Sequence, residues 1–287
     1  MKLAVIGDEV AQDVRVVAET AAQLGLAGVE VRSFGNTPPD QMSGSQLREL
    51  RAVLDQNNLT VAGYAPPAFK HRVPVTDEEF ATVREGLLRY CEHGAVLNAP
   101  HMRVFSFYRD AEPAPRTAAR TVSRLLENLS LPLPLVVETG TRTNTPTVRH
   151  ALDFLDELGR DDIGLLWDPG NSVFSGWDAK PFPSDYQLGG DLIRHVHVKD
   201  PDGTSGYVRL GDGDLPWIDI LLRLAEDGYD GFLSLETHWR HNRSLTAAER
   251  DSPWGEDFSR GGYAASVECL QRLRRWLCQV DGRGGTG

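Results

Sequence analysis

Four residues could share one piece of chemistry: Glu138, Asp168, His197 and Glu236, spaced 30, 29 and 39 residues apart. Three close a short apolar run, LVVE, GLLWD and GFLSLE, and His197 lies near the end of a fourth, IRHVHVKD. Alternate residues of a strand face opposite ways. Glu236 then shares a face with Ser234 and Phe232, and His197 shares one with His195 and Lys199. By the same rule Glu138 goes with Val136, and Asp168 with Leu166. Two Glu, one Asp and one His form an oxygen-rich donor set that suits Mn²⁺, Mg²⁺, Co²⁺, Fe²⁺ or Zn²⁺. Without a cation, three converging carboxylates would raise one another's pKa. One such carboxylate alone is more often a helix cap or an ion-pair partner. Four at consecutive strand ends point to a site.

The elements that must position these residues repeat along the chain. Apolar runs fall at 3–7, 28–33, 60–65, 101–107, 135–139, 163–168, 193–199 and 231–236. Each is short and rich in Val, Ile, Leu or aromatics, as buried parallel strands are. Helical patterns alternate with them at 13–24, 44–56, 77–98, 115–129, 147–158, 216–227 and 263–278. Val14, Val17, Ala18, Ala21 and Leu24 share a face in the first, Leu47, Leu50, Val53 and Leu54 in the second, and Phe80, Val83, Leu87 and Leu88 in the third. Eight βα units over about 250 residues predict a single (β/α)₈ barrel. An open doubly wound sheet would want a glycine-rich loop after the first strand, and Gly7-Asp8-Glu9 is not one. The barrel is expected over 1–280, with a disordered glycine-rich tail at 281–287. The long irregular segments 169–190, 200–215 and 237–262 all follow strand C-termini, the catalytic rim of a barrel.

Composition bounds the partners. The 287 residues carry 30 Lys+Arg against 41 Asp+Glu, a net charge of −11 that argues against nucleic-acid binding. No apolar run reaches the ~18 residues of a membrane span. Cys91, Cys269 and Cys278 are too few and too scattered for a disulfide framework or a thiolate zinc site. A cytoplasmic protein is expected, with its oligomeric state left open.

The ordered set VVETG, LLWDPGN, IRHVHVKD, LGDGDLPW and GYDGFLSLETHW, with GLAGVEVR at the second strand and NAPHMRVF at the fourth, resembles the xylose isomerase-like TIM barrels. Within them it is most similar to the sugar phosphate isomerase/epimerase group. The resemblance spans nearly the whole chain. It implies that Glu138, Asp168, His197 and Glu236 bind one divalent metal, often manganese, and that Glu138 and Glu236 are the catalytic pair that moves protons. The implied substrate is a small polyhydroxylated carbonyl compound, free or phosphorylated, isomerised or epimerised through a metal-stabilised enediolate. A dehydratase of the same fold, acting on an inosose or a dehydroshikimate, needs the same base and metal and stays open beside it.

The chain departs from the family at Asp168-Pro169-Gly170-Asn171, where many epimerases carry a histidine in a D-x-x-H pattern. Asn171 can hydrogen-bond substrate but is neither acid nor base. That departure counts against a standard ketose epimerase. It also counts against an apurinic endonuclease of the endonuclease IV type, whose extra ligands His71, His93, His101 and His150 do not supply. Lys199 could steady an oxyanion or a phosphate. Arg32 and Arg142 could hold a carboxylate or phosphate, with Glu30 as a partner for Arg32. Trp177, Tyr207, Trp217 and His238 could stack on a sugar from the rim, and His195 reads as a packing or supporting histidine.

Overall fold

Each expected apolar run forms a strand in the computed structural model, which describes residues 1–284, with side chains over 1–280. The strands are β1 (Lys2–Ile6), β2 (Gly28–Val31), β3 (Thr60–Tyr64), β4 (Met102–Val104), β5 (Leu135–Glu138), β6 (Ile163–Trp167), β7 (Ile193–Val198) and β8 (Phe232–Leu235). They pair in parallel around a closed barrel in the order β1-β8-β7-β6-β5-β4-β3-β2. Outer strand faces such as Val5, Val29, Val137, Leu165, Val196 and Leu233 pack beneath the helices. That layer is the apolar core.

The main helices are α1 (Val14–Gln23), α2 (Gly44–Gln56), α3 (Asp77–Val96), α4 (Pro115–Leu126), α5 (Val148–Leu158), α6 (Ser184–Gly189), α7 (Trp217–Glu226) and α8 (Gly262–Gly284). Local chemistry fixes their starts. Asp13 accepts from the Arg15 amide at the head of α1, and capping boxes Ser43/Gln46 and Thr76/Glu79 open α2 and α3. Gly159 closes α5 in the left-handed region at φ 62°, where glycine has no Cβ to clash.

Three expectations change. In α3, Leu88 is exposed, and the buried stripe runs through Leu87 and Cys91 instead. The 169–190 segment holds a short helix, Pro169–Phe174, as well as α6. Helix α8 runs to Gly284, so residues 281–284 of the expected tail are helical, and 285–287 lie outside the described residues. Two strand irregularities border the site. Ala62 is an extra residue opposite the Val29–Glu30 step, and Arg194 is one opposite Leu165–Leu166. The second keeps His195 and His197 on the inner face while Arg194 is turned to solvent.

Candidate metal centre and its cavity

The four strand-end residues meet. One donor atom from each of Glu138, Asp168, His197 and Glu236 lies within 4.8 Å of the others, and all four residues are buried. His197 Nδ1 is 3.4 Å from Glu236 Oε2, 3.6 Å from Asp168 Oδ2 and 3.9 Å from Glu138 Oε1. Asp168 follows β6 directly and caps the Pro169–Phe174 helix through Oδ1, which accepts from the Asn171 amide at 2.9 Å. Its Oδ2 is thereby left for the cavity.

The inner wall orients these donors. Glu30 on β2 faces His197 Nε2 at 3.0 Å and His195 Nε2 at 2.8 Å, which turns His197 Nδ1 toward the three carboxylates. Glu30 is therefore not the partner of Arg32. Arg32 instead spans Asp8 at 2.8 Å, Glu9 at 3.2 Å and Glu236 Oε1 at 2.6 Å. Lys199 lies 2.7 Å from Asp168 Oδ2 and also pairs with Glu236 Oε2. Arg103 on β4 sits 3.0 Å from Glu138 Oε2, and Asn171 Nδ2 donates to Glu138 Oε1 at 2.8 Å.

The donor set fits a divalent cation. Among the described residues His197 Nδ1, although buried, has no hydrogen-bond partner, and Asp168 Oδ2 meets the Lys199 ammonium outside hydrogen-bond geometry. Such orphaned buried atoms are rare in a satisfied interior. Three carboxylate oxygens and one imidazole nitrogen suit a hard or borderline ion. The electrostatics of the two glutamates differ. Burial raises the Glu138 pKa, opposed by Arg103 and His197. Burial also works to raise Glu236, but Lys199, His238 and His197 outweigh it and hold that carboxyl well below the ordinary range.

Above the donors is a cavity of about 270 Å³, bordered by Arg32, Asn171, Lys199, Tyr207 and His238 among others. Arg142 stands at its exposed rim, paired with Asp251 and lying over the Tyr108 ring. His238 Nδ1 contacts Glu9 Oε1 at 2.6 Å, and its Nε2 is 3.9 Å from Glu236. Trp217 is not on the rim: it is buried at the start of α7 and donates to the Lys199 carbonyl at 3.2 Å. Trp177 packs against His150 and Arg109 outside the cavity wall. Asp8, Glu9 and Arg103 are site residues that sequence reasoning missed. Carried on from Ile6, the strand-face rule would have marked Asp8, while Glu9 is brought in by the helical turn Gly7–Val10 that follows β1. Arg103 inside an apolar strand was itself a signal.

Residues 18–270 match the family described as the xylose isomerase-like TIM barrel. The chain belongs to this family. Among relatives of this xylose isomerase-like barrel is the fructoselysine 3-epimerase of Escherichia coli O157:H7, 23% identical over 233 residues, which are 75% of this chain and 82% of the relative. Among solved structures, an L-ribulose 3-epimerase superposes with a TM-score of 0.75 at 15% identity, covering 99% of this chain and 97% of the other. A D-psicose 3-epimerase with D-tagatose from Clostridium cellulolyticum H10 superposes at 0.72 and 16% identity, covering 96% and 99%. Those likenesses establish the same fold. Among the described residues, no helix of this xylose isomerase-like barrel is long and apolar enough to cross a membrane.

Proposed function

We propose that the protein is a divalent-metal-dependent isomerase or epimerase of a sugar or sugar phosphate. The observation that carries the reading is the convergence of Glu138, Asp168, His197 and Glu236 on one buried point at the floor of a cavity. The 3-epimerase relative and the epimerase folds support it. Glu138, Asp168, His197 and Glu236 would hold the ion, with manganese as the first choice. Once bound, it supplies the positive charge that stabilises an enediolate formed from neighbouring carbonyl and hydroxyl groups.

The protein's own residues do the rest. Glu138 and Glu236 come from β5 and β8, with β6 and β7 between them, so the two carboxylates reach substrate from separate wall positions. One takes the carbon-bound proton and the other returns it. Asn171 and Arg103 fix the two oxygens of Glu138, and Lys199 and Arg32 fix those of Glu236. Neither carboxylate need reorient before proton transfer, which is the advantage of a preorganised site. Asn171 stands where many family members carry histidine, and here it positions the Glu138 acid/base instead of titrating. With its three free cysteines and acidic balance, we place the enzyme in the cytoplasm and away from nucleic acid.

The deciding experiment is a manganese-supplemented screen of ketoses, their phosphates and inososes in deuterated water, read by NMR. Deuterium entering the carbon beside the carbonyl, with an epimer or isomer as product, is expected. Exchange accompanied by loss of water instead of an isomer would reassign the protein as a dehydratase. No exchange into any substrate, at full metal occupancy, would overturn proton-transfer chemistry at this site.

A further inference from the structure

The cavity has more cations than its acids can use. Seven basic side chains border it, Arg32, Lys70, Arg103, Arg109, Arg142, Lys199 and Arg250, against Glu138, Glu236 and Asp251. This excess sits in a protein of net charge −11, so it is not a general surface property. Arg32, Arg103 and Lys199 serve the acids at the floor. The other four gather at the outer end from four different loops, those following β3, β4, β5 and β8. There, only Arg142 has an acid, Asp251. Among the described residues, Lys70, Arg109 and Arg250 form no ion pair with a carboxylate.

These three are nevertheless held in place. Lys70 Nζ donates to the backbone carbonyls of Asp251 at 3.1 Å and Arg250 at 3.3 Å. Arg109 Nη1 donates to the Thr141 carbonyl at 2.6 Å. The Arg250 guanidinium lies over the Phe174 ring at 5.3 Å, and Lys70 is 5.6 Å from the Phe105 centroid. An ammonium has three donors and a guanidinium five, so each group keeps donors free. Burial first, and then the neighbouring Arg103, push the Lys70 pKa down to about 8, with Glu138 and Asp251 opposing. Fixed, half-buried, unanswered cations in a walled cleft focus a positive field on whatever enters.

We propose that this outer end is an anion subsite, and that the substrate is a sugar carrying a phosphate or carboxylate group on the end away from its carbonyl. The inference rests on the isomerase/epimerase reading and narrows its substrate class. The same cavity runs from Glu138 to Arg250. One small molecule can therefore present its carbonyl to the floor and its charge to the rim.

The test is calorimetric binding of D-fructose, D-fructose 6-phosphate and D-fructuronate to the manganese-loaded protein, with inorganic phosphate as a competitor. At least one anionic sugar should bind about tenfold or more tighter than D-fructose, the worth of one good charged hydrogen bond. Which of the two does so identifies phosphate or carboxylate as the group. Phosphate should compete with that anionic sugar. In Lys70→Met/Arg250→Met, and separately in Arg109→Met, the anionic-to-neutral affinity ratio should fall toward one. D-fructose binding as tightly as both anions, or a ratio unchanged in both variants, would overturn the subsite. Deuterium exchange measured on the same three sugars separates the two proposals. Failure of the subsite alone leaves exchange intact, whereas failure of the epimerase reading abolishes exchange and leaves the affinity ratio standing.

Discussion

The two halves of the barrel wall serve one cavity in different ways. Strands β5–β8 end in the donors Glu138, Asp168, His197 and Glu236. Strands β1–β4 and their ends supply Glu9, Glu30, Arg32 and Arg103, which grip those donors or their neighbours. The donor half is regular along the chain, at one donor per βα unit. The gripping half obeys no such spacing: Arg103 meets Glu138 from the neighbouring strand, whereas Arg32 and Glu30 reach past β1 to partners far along the chain. Arg32 reaches Glu236 over 204 residues of sequence, and Glu30 reaches His197 over 167. A catalytic set can thus be periodic while the set that aims it is not.

The comparison breaks first at the glutamates. Glu236→Gln and Glu138→Gln each keep an oxygen donor but lose a basic carboxylate. Activity should fall by about 10²–10⁴-fold, with substrate affinity changing less. Full deuterium exchange in either variant would remove that residue from proton transfer.

Arg32→Met probes the gripping half. It strands Asp8, Glu9 and Glu236 as buried carboxylates without their shared cation. Removing one member of a buried ionic cluster typically costs about 3–5 kcal/mol. Denaturant unfolding should register a loss of that order. A loss under about 1 kcal/mol, the value of a surface pair, would mean the cluster is not what holds Glu236.

Glu30→Gln should act on metal affinity without touching a donor. One side of the amide is a donor group, so if it faces His197 Nε2 it drives that ring's proton onto Nδ1, the atom aimed at the carboxylates. Losing such a support weakens metal binding by about 10–100-fold, readable by chelator competition. His197→Ala should lose more. Equal affinity in wild type and Glu30→Gln would erase the distinction between the two halves.

The smallest effect concerns Lys70, which the gripping side places at the outer rim. Its pKa sits at about 8 instead of the ordinary 10.5, through burial and Arg103, with Glu138 and Asp251 opposing and Arg32 adding to the depression. A depressed ammonium keeps its charge below about pH 8 and loses it above. Affinity for an anionic sugar should therefore fall several-fold between about pH 7 and 9, a window in which a sugar phosphate, with its second pKa at about 6, gains little further charge. A flat profile would take Lys70 out of the subsite.

Much of the fold was legible because strand runs and helix caps are local. The stripe of Leu47, Leu50, Val53 and Leu54 buries as its spacing requires, and Ser43 and Gln46 cap the same helix. The misreadings were failures of context. Trp217 looked like a rim aromatic because it follows a loop, yet it belongs to the first turn of α7 and is buried. Leu88 matched a helical stripe but lies one position off the face that α3 presents to the barrel.

The sequence by itself determined which residues stand at strand ends and which strand face they share, since both follow from a two-residue repeat and the length of a βα unit. It could not determine that Glu30 answers His195 and His197 instead of Arg32, that Arg103 meets Glu138, or that four rim cations gather around one acid. Those pairings depend on how far each strand slides past its neighbour, and on the closure of β1 against β8. In a barrel, tilt and stagger are properties of the whole closed sheet, so contacts across its mouth are decided only when the last strand pairs with the first.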